Sequence, residues 1–234
     1  MITDALTGWL LHKRAIGNGC AHVTFFTQEQ GLLRAHVQGG RTLKKQVALQ
    51  PFTPLWLVFD ERKYGTYIRQ IEPTSASLTL NGQQVLAGLY VNELLYHALR
   101  PNEHEPLLFD AYEKAVHHLA EPLTRVALEG VLRRFEWALL STSGSHVSYS
   151  HELDGLSLLV ETRQYIFVPG EGFTWAESGL CGAYLLAMAE GKFDDPNVLK
   201  TAKFIMRRSI DHLLEGVPIR SRALYRGLIS EHKE

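Results

Sequence analysis

Residues 65–99 read GTYIRQIEPTSASLTLNGQQVLAGLYVNELLYHAL, and the spacing of the apolar residues changes inside this stretch. GTYIRQIE (65–72) is a short run of β-branched and aromatic residues, the composition of a strand. From residue 85 onward, Leu86, Leu89, Tyr90, Leu94 and His97 or Ala98 recur at helical spacing, with Asn81 placed to cap them. Asn81 therefore marks a boundary between a β module and a helical one.

Upstream, GWLLHKR (8–14), AHVTFFT (21–27), LLRAHVQ (32–38) and FTPLWLVF (52–59) read as further strands, separated by Gly- and Asn-containing turns. Five strands without a crossover helix predict a small antiparallel barrel or sandwich over 1–80. Pro51 and Pro54 cannot donate ladder hydrogen bonds, so the fourth strand begins irregularly or at a barrel opening. Downstream, LLFDAYEKAVHHLA (107–120) and TRVALEGVLRRFEWALLST (124–142) continue the helical period. With 85–99 they predict a helical bundle over 81–144. Strand-like LSLLVET (156–162) and QYIFVPG (164–170), then helical patterns at 179–191 and 197–216 and a short SRALYRGLI, predict a small C-terminal α/β region over 145–234. The fold class is α+β.

The formal net charge is −1, but the charge is unevenly distributed. Residues 1–80 carry nine Lys and Arg against five acids, while 200–226 carry seven against Asp211 and Glu215. Two basic blocks in a near-neutral chain predict localised anion binding. No apolar run is long enough to span a membrane. Cys20 and Cys181 are two distant thiols, expected to be buried and inert in a reducing cytoplasm. The cations of MITDALTGWLLHKR follow its apolar residues, against the order of a secretory signal.

The first basic block, GGRTLKK (39–45), offers Arg41, Lys44 and Lys45 with no acid between Glu29 and Asp60, and Arg34 on the preceding strand extends it. Each can neutralise a phosphate, and glycines keep the backbone accessible. Tyr64 and Tyr67, beside a turn, are candidate platforms for stacked bases. Phe25 and Phe26 must face opposite sides of their strand, and Trp56 is expected in the core. The second block places Lys200, Lys203 and Arg207 on one face of a helix. Glu93, among apolar neighbours, is expected to cap or bridge helices rather than act as an acid. Phosphate-loop, HExxH, GxSxG and dinucleotide motifs are absent, and His117-His118 face different directions on a helix. No enzyme activity, cofactor or metal is expected.

Several segments together resemble the bacterial recombination mediator family RecO: LQPFTPL (49–55), GLYVNELL (88–95), LFDAYEKAVHHLA (108–120), LRRFEWALLSTSG (132–144), AKFIMRRSI (202–210) and IRSRALYR (219–226). The resemblance implies an N-terminal five-stranded OB-fold barrel, a helical bundle and a C-terminal region. That region holds a four-cysteine zinc ribbon in many members. Here YSHELDG (149–155) stands where those cysteines begin, so the zinc-free branch is implied. The implied partners are single- and double-stranded DNA, the acidic C-terminal tail of single-strand-binding protein, and RecR. The implied activities are strand annealing and recombinase loading, in a cytoplasmic, nucleoid-associated setting. The segment associated with the tail contact places Arg133 and Arg134 beside Leu132, Leu139 and Leu140. An interaction scaffold whose barrel binds protein, and a nuclease built on Asp194-Asp195 or Asp60-Glu61, are the rival readings.

Overall fold

A computed structural model describes residues 5–17, 19–38 and 43–224, without the side chains of 43 and 44. The chain divides into two compact units, residues 1–120 with 219–234, and residues 121–218.

In the first unit, β1 (Leu6–Gly17), β2 (Cys20–Thr27), β3 (Gly31–Val37), β4 (Pro54–Arg62) and β5 (Gly65–Pro73) close into a barrel in the order β1-β2-β3-β5-β4. Four of the pairings are antiparallel, and β3 meets β5 in parallel at His36 and Tyr67. This closed five-stranded Greek-key arrangement is an OB-fold. Pro54 is the first residue of β4, where a missing N–H costs no ladder bond. Residues 43–48, which the sequence leaves in the basic loop, form a short helix, α1 (Leu43–Ala48), between β3 and β4.

Alternation fills the barrel. Val23 and Phe25 from β2, Leu33, Ala35 and Val37 from β3, and Leu55, Leu57 and Phe59 from β4 share one buried cluster. Phe26 points to the other side, as its adjacency to Phe25 requires. Trp56, expected in the core, is instead half-buried on the outer face opposite Thr7, because its register is odd against Leu55 and Leu57.

A register slip in β1 decides what that outer face carries. Leu10 pairs with Phe25, but His12 pairs with Thr24, so Leu11 is an extra residue. The bulge reverses the parity of the strand. Leu10 enters the barrel, while His12 and Arg14 face outward; without the extra residue they would face in. Asn92, buried on α2 (Gln83–Ala98), reaches the bulge and donates to the Leu10 carbonyl at 3.4 Å.

The outer face then splits into two halves. Trp9 and Phe26 lie under α2 and α3 (Pro106–Leu119), with Trp9 edge-on to Tyr112 at 5.9 Å and Phe26 5.3 Å from Phe109. The Tyr112 hydroxyl donates to Asn92 at 2.9 Å, and burial pushes its phenol titration far up. Gly31, at φ 67°, begins β3 where a Cβ would lie 1.7 Å from the Glu103 carbonyl oxygen, so only glycine fits. The other half of the face, beyond the bulge, is left without this roof.

The second unit contains α4 (Arg125–Thr142), a small sheet in the order β7-β6-β8, α5 (Gly182–Ala189) and α6 (Pro196–Leu213). The strands are β6 (Gln164–Val168), β7 (Gly172–Ala176) and β8 (Leu180–Cys181). Helix α2 and α3 thus fall with the barrel and α4 with the sheet, which divides the three helices that the sequence places in one bundle. The physical reason is the apolar outer face of the barrel, which α2 and α3 cover.

Phe167, Phe173 and Tyr149 pack with ring centres 5.3 Å apart in each contact, and Trp137 lies 4.7 Å from Tyr149. Thr124 caps α4 and Asp195 caps α6, with Pro196 in the first turn. Residues 156–162 are not a strand: the Asp154 carboxylate accepts from the backbone N–H groups of Leu156 and Ser157, a turn that competes with a ladder. β6 pairs instead with β7, which the sequence reading passes over, and with β8. Both Cys20 and Cys181 are half-buried rather than buried. Among the described residues no helix is long and apolar enough to cross a membrane.

Candidate nucleic-acid interface

Two cross-strand rows cover the open half of the barrel's outer face. In one, Arg14 opposes His22, His22 opposes His36, and His36 lies beside Tyr67. In the other, His12 opposes Thr24 and Thr24 opposes Arg34. Residues directly opposite across a sheet share a face, so these side chains converge. With Tyr96 from α2, all of these except Tyr67 line a cleft of about 420 Å³.

The contacts inside it are continuous. The Arg34 guanidinium carbon lies 5.7 Å from the Tyr96 ring centre, and His12 lies 4.9 Å from the same ring. His22 meets His36 edge-on at 4.4 Å, and His36 stacks on Tyr67 at 5.0 Å with 26° between planes. Arg62 closes the far side, 4.6 Å from the Tyr67 ring centre. Gly65, at φ 129°, passes the His36 ring without a side chain to cover it.

The electrostatics are one-sided. No carboxylate is among the described residues that line the cleft. Asp60 stands opposite Tyr67 and is bound by the Arg62 Nε at 2.8 Å. His12 titrates below its ordinary value, first because burial disfavours its charged form and then because Arg14 and His97 repel a proton. Flat rings beside fixed guanidinium groups form a surface on which bases can stack while phosphates are neutralised. Among the described residues no group of three or more His, Cys, Asp or Glu is placed to hold a metal.

Of the residues expected from the sequence, Arg34 and Tyr67 are brought to this surface. Tyr64 stands at the tip of the β4–β5 hairpin, 80% exposed, with the Lys63 ammonium 5.5 Å from its ring centre. Lys45 is half-buried on α1 and donates to the Gln38 carbonyl, which fastens the helix to the end of β3. Arg41 and the Lys44 side chain lie outside the described residues. The sequence reading missed His12, Arg14, His22, His36 and Tyr96. The signal for two of them is plain in HVTF and RAHV, where His22 and His36 alternate with residues that fill the barrel. His12 and Arg14 required knowledge of the bulge.

In the second unit the expected tail-binding set separates. Leu132, Leu139 and Leu140 are buried in the core, and Arg133 is 5% exposed. Its guanidinium pairs with Glu136 at 2.7 Å, one helical turn away. Successive helix positions point about 100° apart, so Arg134 faces outward, half-exposed and 3.6 Å from Asp194. Arg133 and the three leucines therefore present no surface to a peptide. On α6, Lys200, Lys203 and Arg207 share an exposed face with Arg208 and Phe204, and the Arg208 guanidinium lies over the Phe204 ring. Lys203 also reaches Glu129 on α4 at 3.3 Å.

Residues 1–76 match the family model for the recombination protein O N terminal, and residues 80–223 match that for its C terminal. The chain is 45% identical to DNA repair protein RecO of Legionella pneumophila strain Lens, over 96% of this chain and 99% of that protein. It is 33% identical to DNA repair protein RecO of Pseudoalteromonas atlantica, over 97% and 95% respectively. With Sodalis glossinidius DNA repair protein RecO the identity is 32%, over 98% and 91%. A closed barrel at the N-terminus, two family models in order and full-length likeness agree: the chain belongs to the recombination protein O family.

Proposed function

We propose that this protein is a non-enzymatic DNA-binding mediator of recombinational repair. In this reading the barrel grips single-stranded DNA along the wall formed by Arg14, His22, His36, Arg34 and Tyr67. The observation that carries the reading is the convergence of two guanidinium groups, three imidazoles and Tyr96 in a cleft with no carboxylate among its described lining residues, with Tyr67 stacked on His36 beside it. The loop cations Arg41, Lys44 and Lys45 and the exposed Tyr64 extend the same grip. Annealing needs no bond-breaking group; it needs cations that reduce repulsion between two phosphate backbones. The names of the relatives, DNA repair proteins, support the setting. Recombinase loading, with single-strand-binding protein and RecR as partners, is part of the proposal. For the acidic tail of single-strand-binding protein, Arg134 is the residue of the expected set that remains accessible.

An oligonucleotide titration over a range of salt tests the proposal. Replacing Arg14 and Arg34 by Ala removes two phosphate contacts, so the slope of log affinity against log salt should shallow by about 1.4 on a single strand. An unchanged slope takes the wall out of the mechanism. A barrel that binds no oligonucleotide at low salt belongs to a protein-interaction scaffold.

A further inference from the structure

The binding wall holds three imidazoles within a short distance of two permanent cations. On β1 these are His12 and Arg14, on β2 His22, and on β3 Arg34 and His36. The neighbouring elements add Tyr67 from β5, Tyr96 and His97 from α2, and the Asp60–Arg62 pair of β4. Glu61 stands opposite Thr66 at the end of the hairpin. Imidazole is the side chain whose charge changes between about pH 5 and 8.

We propose that single-strand binding at this wall is proton-linked: the phosphodiester backbone is held partly by protonated His12, His22 and His36, and the protein takes up protons as the strand docks. The inference rests on the barrel being the DNA-binding surface.

Two opposed effects produce the linkage. Without a strand, burial and then the charges of Arg14 and His97 disfavour a proton on His12, and the His22 and His36 rings lie 4.4 Å apart on the same wall. A phosphate entering the cleft reverses the sign, because an adjacent anion favours the charged form. Since the bound state then carries more protons than the free one, affinity must rise as pH falls. The bulge at Leu11 gives this arrangement its third ring, by turning His12 outward to Tyr96.

The probe is oligo(dT), whose bases do not titrate near neutrality, so a pH effect belongs to the protein. At constant ionic strength, affinity should rise roughly tenfold or more from pH 8 to pH 6, one proton taken up giving up to tenfold per unit. The triple variant His12→Gln, His22→Gln, His36→Gln should give a flat profile. The variant His22→Arg, His36→Arg, charged at every pH, should bind at pH 8 more tightly than the parent protein does. Calorimetry of the parent protein in buffers of different ionisation enthalpy counts the protons directly and does not depend on any variant folding. A pH-independent affinity with no proton uptake, or a pH slope that survives in the triple Gln variant, overturns the proposal while leaving the barrel reading intact. Absence of binding at every pH overturns both.

Discussion

His146 shows how one side chain ties the stability of the second unit to pH. Its ring lies edge-on to Trp137 at 4.5 Å and 5.4 Å from Tyr149, and burial against them lowers its titration from the ordinary value of 6.5. The unfolded chain therefore binds a proton more readily than the folded one. Stability is fully present above about pH 6.5 and erodes as pH falls through and below that value, until the folded ring also protonates. Urea midpoints for loss of the α4–α6 structure should fall between pH 7.5 and 5.5. His146→Gln should reduce that fall, and an identical fall in the variant would show that other groups carry it. Arg133 illustrates the opposite case of a charge that is sealed in. A buried ion pair adds little net stability, yet removing one partner leaves the other uncompensated. Any loss of peptide binding on changing Arg133 would thus be confounded by damage to the core, whereas Arg134 can be changed from the surface.

At the scale of elements, periodicity located most of the fold. The five strands and helices α2, α3, α4 and α6 follow from residues such as Val23, Phe25, Leu86 and Leu94 that recur with the right spacing. What escaped has local physical causes. The Asp154 side chain ends an apolar run that would otherwise read as a strand, and GFTWA is too short and glycine-led to announce β7. The candidate interface was half legible. Arg34 and Tyr67 stand out in the sequence, but the bulge that presents His12 and Arg14 has no sequence signature. Helix α6 was fully legible, because its polar face is regular: Lys200, Lys203, Arg207 and Arg208 are exposed while Ala202, Ile205, Met206 and Ile210 are buried. From Lys200 to Arg208 the helix rises about 12 Å, room for several duplex phosphates. Asp195 already satisfies the N-terminal N–H groups, so the face rather than the helix end is available. Replacing Lys200, Arg207 and Arg208 by Ala should shallow the salt slope for duplex DNA by about 2–3 with little change in thermal stability. An unchanged duplex slope would assign the face to a protein partner.

At the scale of the whole molecule, the chain leaves the barrel unit after residue 120 and returns to it at 219. The return is secured at Glu93, in the middle of α2. Burial alone would push this carboxyl up. Hydrogen bonds from the Ser221 hydroxyl and the N–H groups of Ser221 and Arg220, with the charge of His97, hold it below its ordinary value instead. Ile219 and Ser221 are buried, and the Arg222 guanidinium lies 5.7 Å from the Tyr90 ring centre. Ending the chain at Pro218 would remove all of these contacts, but none of the hydrogen bonds or core contacts within 121–218. Three charge-assisted hydrogen bonds and one buried isoleucine together amount to roughly 6 kcal/mol. Hydrogen exchange on the shortened chain should therefore show lost protection in α2 and the barrel strands, with α4 and α6 protected as before. Glu93→Ala in the full chain should reproduce part of that pattern. The contribution of Glu93 should also fade as pH falls from above about 4.5 through its lowered folded value, since protonation removes two charge-assisted acceptors. Equal loss of protection in both units would mean that they unfold as one cooperative body, and that the final segment stabilises more than the unit it returns to.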